Sequence, residues 1–287
     1  MSDISRIGVV GCGLMGSGIA EVAALRGLDV TVAESAPELA AAGRDRVTAS
    51  LDRGVRRGKL TGDDRDQALA RLTFTHDLGE LADRQFVIEA VAENREVKLE
   101  IFRQLDKVVT DPHAVLATNT SSIPVVDLAV ATGRPSHVVG LHFFNPVPVQ
   151  QLVEVIPALT TGADALARAR EFATHRLGKT VVQAPDRSGF VVNALLVPYL
   201  LAAIRMVESG AARPEDIDRG MELGCAHPMG PLRLLDLIGL DTALAVAESM
   251  YEEFKEPPYA APPLLHRMVT AGHVGRKSGH GFYVYDA

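Results

Sequence analysis

A glycine-punctuated turn between a short apolar run and a helical repeat constrains the fold more than any other feature of this sequence. Residues 6–10 are rich in β-branched side chains, Gly11-Cys12-Gly13-Leu14-Met15-Gly16 fits the pattern G-x-G-x-x-G, and apolar residues then recur with helical spacing. The glycines let the backbone turn tightly and approach a pyrophosphate, and the N-terminus of the following helix attracts its negative charge. The order strand, turn, helix therefore predicts a dinucleotide site.

Glu34 strengthens this prediction, because it ends the second predicted strand, residues 28–33, about twenty residues beyond the glycines. A carboxylate there accepts hydrogen bonds from the adenosine ribose and repels a 2′-phosphate, so NAD is favoured over NADP. The alternative is a glycine-rich loop without a ligand. The predicted cofactor-binding residues of this region are Gly11, Gly13, Leu14, Met15, Gly16 and Glu34.

Strands and helices continue to alternate through the first two thirds of the chain. Further buried strands are predicted at residues 86–90, 115–118 and 138–141, and helices at residues 37–57, 63–72 and 94–109. The first two of these helices are joined at Gly58–Gly62 and form a hairpin that projects from the sheet. The predicted fold class is α/β: a Rossmann-type doubly wound, mostly parallel sheet with a projecting helical hairpin, followed by a smaller all-α domain.

From Pro185 onward the patterns typical of strands nearly disappear and helical patterns dominate, which predicts a domain boundary. Residues 1–184 are expected to form the NAD-binding domain, and residues 185–287 a helical substrate and dimerisation domain with helices at 191–207 and 232–251. Residues 190–197 are apolar nearly all round, as in a buried or subunit-facing helix. We therefore expect a homodimer through the C-terminal domain.

Composition excludes several classes of protein. A net charge of −7 argues against nucleic acid as a partner, because phosphate backbones attract basic surfaces. The sequence contains neither a run of about 20 apolar residues nor a signal-peptide pattern at its start, which predicts a cytoplasmic protein away from membranes. Two cysteines and nine scattered histidines predict reduced thiols and no metal site.

Polar residues at the ends of predicted strands form the candidate catalytic set. His142 follows one strand and could remove the hydroxyl proton of an alcohol during hydride transfer. Glu154 is embedded in an apolar strand, where an isolated carboxylate would be costly, so we pair it with His142. Strand ends line the ligand crevice of a doubly wound sheet, which also brings Ser121 and Asn145 into consideration.

Each of these residues has a structural alternative. His142 could be a satisfied core histidine, and Glu154 could face water from an edge strand. Ser121 could cap the following helix, and Asn145 could shape the turn before Pro146. A serine hydrolase is disfavoured because the G-x-S-x-G turn is missing around Ser121.

The chain resembles the L-3-hydroxyacyl-CoA dehydrogenase family, and the resemblance runs essentially from end to end. It is carried by several blocks in order, which are together more specific than any single motif. The blocks are residues 11–20, Glu89-Ala90-Val91-Ala92-Glu93-Asn94, Asn119-Thr120-Ser121-Ser122, Leu141-His142-Phe143-Phe144-Asn145-Pro146-Val147-Pro148, Asp186-Arg187-Ser188-Gly189-Phe190-Val191-Val192-Asn193, His227-Pro228-Met229-Gly230-Pro231 and Gly279-His280-Gly281-Phe282-Tyr283.

The resemblance implies the activity and the catalytic roles. It implies oxidation of an L-3-hydroxyacyl-CoA such as 3-hydroxybutyryl-CoA to the 3-keto form, with NAD taking the hydride, within fatty acid metabolism. His142 would be the general base and Glu154 its partner, while Ser121 and Asn193 would hold the reacting oxygen and the thioester carbonyl. The alternative for Asn193 is a helix cap or a subunit interface.

The resemblance also implies contacts with the two nucleotides. Glu93, Lys98, Asn145 and Lys277 would approach the nicotinamide-ribose and phosphate side of NAD, with Ser121 shared between cofactor and substrate. Ser50 and a basic run, Arg53, Arg56, Arg57 and Lys59, would meet coenzyme A. Lys98 and the basic run could instead be solvated helix residues.

The sequence departs from the family pattern at two of these positions. Arg57 stands where relatives often have lysine, which changes the geometry of phosphate attraction, and Ser188 stands where many have proline, which could alter the hinge.

Two competing functions remain. One keeps the chemistry but uses an acyl-carrier-protein thioester or a hydroxy-acid as substrate, and the basic run argues against it. The other is a non-catalytic NAD-binding protein, which predicts damage to the catalytic residues. His142, Glu154, Ser121 and Asn193 are all present, so a coenzyme A-dependent dehydrogenase is preferred.

Overall fold

The computed structural model describes residues 4–285, and the chain divides into two compact units. The first unit runs through Asp186 and the second begins at Arg187. The sequence-based boundary stands after residue 184. Within the described residues, no helix is both long and apolar enough to cross a membrane.

An eight-stranded sheet forms the centre of the first unit. Its strand order is β3-β2-β1-β4-β5-β6-β7-β8, and neighbouring strands are parallel except for the antiparallel pair β6 and β7. This is the predicted doubly wound, mostly parallel arrangement. The strands are Arg6–Val10 (β1), Asp29–Ala33 (β2), Leu72–Thr75 (β3), Phe86–Glu89 (β4), Val115–Thr118 (β5), Val138–Phe143 (β6), Leu152–Pro157 (β7) and Thr180–Gln183 (β8).

Helices surround the sheet and begin where local sequence favours it. Thr61 and Asp64 form a capping box at the start of the third helix, and the Asn94 side chain accepts a hydrogen bond from the Val97 N–H at the start of the fourth. The helices are Leu14–Leu25 (α1), Pro37–Arg56 (α2), Gly62–Ala70 (α3), Arg95–Val108 (α4), Val125–Ala129 (α5) and Ala163–Glu171 (α6). The hairpin of α2 and α3 packs on α1.

Two strands differ from the sequence-based expectation. Leu72 was predicted to end α3 but begins β3, because Leu72 and Phe74 alternate with threonines and pair with β2. The strand β8 was not predicted, since it lies at the edge of the sheet and lacks a continuous buried apolar run.

Buried aliphatic and aromatic side chains from both faces of the sheet form the core of the first unit. Phe86 stacks on Phe172 with ring centroids 4.3 Å apart, and both are at most 1% exposed. Burial of each such side chain contributes about 1.5–3 kcal/mol, so the strand ends that carry polar groups are held on a rigid base.

The second unit is a bundle of five helices within the described residues. They are Val192–Glu208 (α7), Pro214–Cys225 (α8), Pro231–Ile238 (α9), Leu240–Phe254 (α10) and Pro263–Thr270 (α11). The single helix expected at 232–251 is divided at Gly239, whose φ of 102° cannot continue a helix. Leu200, Leu201 and Leu235 are among the residues that fill the core of the bundle.

Candidate active site

The glycine turn between β1 and α1 has the space that a dinucleotide requires. A Cβ atom on Gly11 would stand 2.8 Å from the Ala90 carbonyl oxygen, and one on Gly16 would stand 1.8 Å from the Gly11 oxygen. At Gly13, by contrast, no atom of the described residues other than its own and its two chain neighbours' lies within 4 Å of the Cβ position. Two glycines are therefore demanded by the turn itself, whereas Gly13 leaves open space for a ligand. The turn fits the pyrophosphate of NAD.

Glu34 lies beside this turn, directly after β2. Its carboxylate accepts a hydrogen bond from the Cys12 backbone N–H, and the Arg46 guanidinium donates to the Cys12 carbonyl oxygen. The Leu14 side chain is exposed, and Met15 is half-buried. The carboxylate thus stands at the turn, where a ribose diol would bind.

His142 and Glu154 face each other across the antiparallel strands β6 and β7. They are register partners, and His142 Nδ1 lies 2.8 Å from Glu154 Oε2. His142 is 7% exposed and Glu154 is fully buried, since β8 covers the far side of β7. The edge-strand interpretation of Glu154 is therefore wrong. Because the carboxylate engages Nδ1, proton transfer to a substrate would use Nε2.

A second carboxylate, that of Glu93, organises the loop after β5. Its Oε1 atom accepts hydrogen bonds from the Thr120 hydroxyl at 2.5 Å, the Ser121 N–H at 2.9 Å and the Ser122 N–H at 3.2 Å. Burial raises the pKa of Glu93, but Lys98 and these hydrogen bonds outweigh it and hold the pKa below its ordinary value. The structure thus brings Glu93 and Ser121 together.

Ser121 does not cap the helix that follows it. The N-cap of α5 is Pro124, and the first backbone N–H groups of α5, those of Val125 and Val126, donate to the Asp186 carboxylate. The helix-cap alternative for Ser121 is therefore wrong, and its half-buried hydroxyl lies at the carboxyl edge of the sheet.

Lys98 is a buried residue. Its side chain is 1% exposed, and Nζ lies 2.6 Å from Glu89 Oε1 and 3.3 Å from Glu93 Oε2. The alternative of a solvated helix lysine is wrong, because the polar end of the side chain points into the unit between two carboxylates.

Asn145 is exposed and follows β6, before a cis peptide bond to Pro146. A different asparagine, Asn119, ties the loop after β5 to the end of β6, since its side-chain oxygen accepts the Phe143 N–H at 2.9 Å. Asn145 therefore lies at the same edge of the sheet as the loop after β5.

The end of α2 presents the predicted basic run to solvent. Arg53, Arg56, Arg57 and Lys59 are exposed, whereas Ser50 is half-buried and its hydroxyl bonds to the buried Glu21. Burial raises the pKa of Glu21, and the bond to Ser50 opposes this shift. Positive charge is thus available for an anion at this helix end.

Two predicted residues belong to the second unit. Asn193 is half-buried in the first turn of α7, whose N-cap is Val191 without a side-chain cap, so the helix-cap alternative for Asn193 is wrong. Lys277 is exposed, and its Nζ atom lies 2.6 Å from Asp241 Oδ2. Burial raises the pKa of Asp241, but Lys277 outweighs this effect and lowers it.

Sequence reasoning assigned no role to Glu89, Asn119 or Thr120, although all three lie in the blocks that carry the family resemblance. Glu89 gave a usable signal, since it is a charged residue within an otherwise apolar predicted strand, as Glu154 is. The bonding of Asn119 and Thr120 depends on the pairing of strands distant in sequence and gave no local signal. Within residues 4–285, no group of three or more His, Cys, Asp or Glu side chains is placed to hold a metal ion.

Comparisons with known proteins give matches over nearly the whole chain. Residues 6–187 match the model of the 3-hydroxyacyl-CoA dehydrogenase NAD binding domain, and residues 189–285 match that of the family's C-terminal domain. A 3-hydroxybutyryl-CoA dehydrogenase of Mycobacterium tuberculosis strain H37Rv is 62% identical over 286 residues, covering 99% of this chain and all of the relative.

Two solved structures are similar over the whole chain. The crystal structure of M. tuberculosis FadB2 has a TM-score of 0.98 and 61% identity, with 99% of this chain and all of that one covered. The (S)-3-hydroxybutyryl-CoA dehydrogenase of Ralstonia eutropha has a TM-score of 0.94 and 43% identity, with the same coverage.

Proposed function

The chain belongs to the 3-hydroxyacyl-CoA dehydrogenase family, and from this premise we propose that it interconverts L-3-hydroxybutyryl-CoA and acetoacetyl-CoA with NAD. It is an NAD-dependent dehydrogenase, and its relatives support the short acyl chain. The observation that carries the proposed chemistry is the 2.8 Å contact between His142 and Glu154.

In the proposed mechanism, His142 Nε2 removes the proton from the substrate's 3-hydroxyl group. Glu154 holds the opposite ring nitrogen, fixes the tautomer and stabilises the imidazolium that forms, because a buried carboxylate interacts strongly with a charge beside it. Bound NAD would supply the acceptor for the hydride that leaves C3 of the substrate. In the reverse direction His142 returns the proton to the forming alkoxide.

Further residues bind and orient the two reactants in this proposal. Ser121 and Asn193 hold the reacting oxygen and the thioester carbonyl, and their hydrogen bonds favour the developing negative charge. The glycine turn and Glu34 bind the adenosine diphosphate half of NAD. The nicotinamide half is held by the group Glu93, Lys98, Ser121, Asn145 and Lys277; Glu93 is supported by its position against the Ser121 loop.

Coenzyme A is the proposed carrier, bound at the end of α2. Its phosphates would meet Ser50 and Arg57, supported by the exposed basic residues around Arg57. An acyl-carrier-protein thioester or a free hydroxy-acid is the alternative substrate class. The cytoplasmic location and the role in fatty acid metabolism remain predictions from the sequence.

The test mixes purified protein with NADH and acetoacetyl-CoA and follows nicotinamide absorbance. We expect turnover by the wild type, a loss of about 100-fold or more in His142→Ala, and unchanged turnover in His113→Ala, which removes an exposed imidazole. Turnover only with acetoacetate or a carrier-protein thioester would reject coenzyme A. NADH binding without turnover of any of these substrates would favour a non-catalytic NAD-binding protein.

We also propose a homodimer formed by the second unit. An apolar groove of about 600 Å³ lies in this unit, lined by residues of α7 and of the loop before α9, including Leu196, Tyr199 and Met229. Leu195 on the same helix is 75% exposed, and a second copy of the chain would bury it. Sedimentation should show a dimer, and Leu195→Glu should shift it toward monomer; a wild-type monomer at every concentration would reject the proposal.

A further inference from the structure

A buried carboxylate outside the His142–Glu154 pair lies at the end of β4. Glu89 is fully buried, and its Oε1 atom accepts the Val91 N–H at 2.8 Å and the Lys98 ammonium at 2.6 Å. Its Oε2 atom accepts the Thr118 hydroxyl at 2.7 Å. One side chain therefore ties together the loop after β4, the first turn of α4 and the last residue of β5.

Lys98 extends this connection to a second carboxylate. Nζ lies 3.3 Å from Glu93 Oε2, while the other oxygen of Glu93 holds the backbone of Ser121 and Ser122. A continuous path of charged hydrogen bonds thus leads from Glu89 through Lys98 and Glu93 to Ser121. Each member of the path is held by groups on at least two different elements.

The balance of charge explains why Glu89 matters. One ammonium stands between two carboxylates and makes its shorter contact with Glu89. Because Lys98 is 1% exposed, water cannot replace a lost partner, and an ammonium without Glu89 would turn to Glu93. Glu93 would then be drawn toward Lys98 and away from the amides of the Ser121 loop.

We infer that Glu89 is a positioning residue, which holds Lys98 so that Glu93 and Ser121 keep the places required for the nicotinamide half of NAD. The inference rests on the proposed function, which gives Glu93 and Ser121 their contacts with the cofactor. In this inference the buried Lys98 acts on the cofactor indirectly, through its contact with Glu93.

The first test compares Glu89→Gln with the wild type. The amide keeps the size of the side chain but removes its charge, so Lys98 should shift toward Glu93. We expect NADH affinity, followed through the fluorescence of the bound nicotinamide, to fall about tenfold. Tm should fall as well, because the buried Lys98 loses the partner of its shorter contact. Hydrogen exchange of the cofactor-free protein should become faster at residues 118–124. Unchanged affinity and exchange would overturn the inference.

A matched control, Asp106→Asn, distinguishes a specific effect of Glu89 from the general loss of a buried or bonded carboxylate. Asp106→Asn removes another α4 carboxylate, which accepts the Gly133 N–H and the Arg134 guanidinium, and should leave NADH affinity and exchange at residues 118–124 unchanged. Equal effects in this control and in Glu89→Gln would mean a merely structural role and overturn the inference.

If Glu89→Gln does not fold, the double variant Glu89→Gln with Lys98→Met decides, because it leaves no unpaired cation. In this variant Glu93 Oε2 also loses the ammonium that lies 3.3 Å from it, so residues 118–124 should exchange faster than in the wild type. Wild-type exchange in the double variant would overturn the inference. These measurements need no acyl-CoA, so failure of the proposed substrate is distinguishable from failure of the positioning role.

Discussion

The buried carboxylates of the two units differ in the groups to which they are hydrogen-bonded. In the first unit, Glu154 and Glu89 are fully buried against groups that carry or take up a proton, the imidazole of His142 and the ammonium of Lys98. In the second unit, Asp236 is 1% exposed and accepts hydrogen bonds from backbone amides and a tyrosine hydroxyl. A titratable partner allows proton transfer, whereas fixed neutral donors only hold the fold.

The aspartates of the second unit serve as attachment points for the end of the chain. Asp236 accepts the Phe282 and Tyr283 N–H groups and the Tyr285 hydroxyl, and Asp218 accepts the Tyr283 hydroxyl at 2.7 Å. Burial, reinforced by Asp218, raises the pKa of Tyr283. A buried carboxylate thus has a proposed catalytic role in the first unit, whereas in the second unit it holds a terminal segment of the chain.

The largest effect is expected from Glu154→Gln. The amide keeps the shape of the carboxylate but cannot stabilise an imidazolium, so kcat should fall about 100- to 10,000-fold while Tm changes little. Steady-state kinetics with NADH and acetoacetyl-CoA, together with thermal unfolding, measure both quantities. A large fall in Tm with nearly normal kcat would mean that Glu154 is structural, as Asp236 is, and would remove the contrast between the units.

Asp236→Asn should produce the converse result. Three donors lose a charged acceptor in a buried site, which should cost about 2–4 kcal/mol of unfolding free energy and lower Tm by roughly 5–10 °C. The fraction that remains folded should keep its kcat. Loss of kcat without loss of stability would show that the second unit uses its buried carboxylate for catalysis.

A smaller effect is expected from substitutions in the glycine turn, where one glycine leaves room for the cofactor and another is required by the fold. Gly13→Ala should raise the KM for NADH about tenfold with an unchanged Tm, because the new methyl group enters open space meant for the pyrophosphate. Gly16→Ala is the comparison, since its methyl group would collide with the Gly11 carbonyl and should lower Tm. Equal Tm losses in both variants would contradict this division.

The smallest effect concerns one thiol in each unit. Burial, with help from Glu34, raises the pKa of Cys12 to about 12, so only about one part in 10,000 is thiolate at pH 8. Cys225 is exposed. At pH 8, Ellman's reagent should therefore titrate one thiol quickly and the second only after unfolding. Two fast thiols in the native protein would contradict the burial of Cys12.

Sequence reasoning reached the parts of this molecule that depend on local chemistry. The glycine turn can be recognised from six consecutive residues. Glu154 could be recognised because a carboxylate in an apolar strand needs a partner. The same argument applies to Glu89, which lies within the predicted strand at residues 86–90, but it was not made for this residue.

The remaining features depend on contacts that the sequence does not encode locally. Lys98 could not be recognised as buried until β4 placed Glu89 beside α4. The strand β3 is short and its pattern was absorbed into α3, whereas the pairing with β2 decides its structure. The division at Gly239 depends on a backbone conformation that glycine permits but does not require.

The single antiparallel pairing in the sheet has a consequence for variation between proteins of this type. Because β7 runs back along β6, the two members of the proposed acid–base pair, His142 and Glu154, are carried by one hairpin and are only twelve positions apart. The register of the hairpin fixes their contact, while residues 144–151 connect the strands outside the ladder. Apart from Asn145 and the buried Val147, this connection can vary in length and sequence without separating the pair, so the pair can persist while the surrounding surface diversifies.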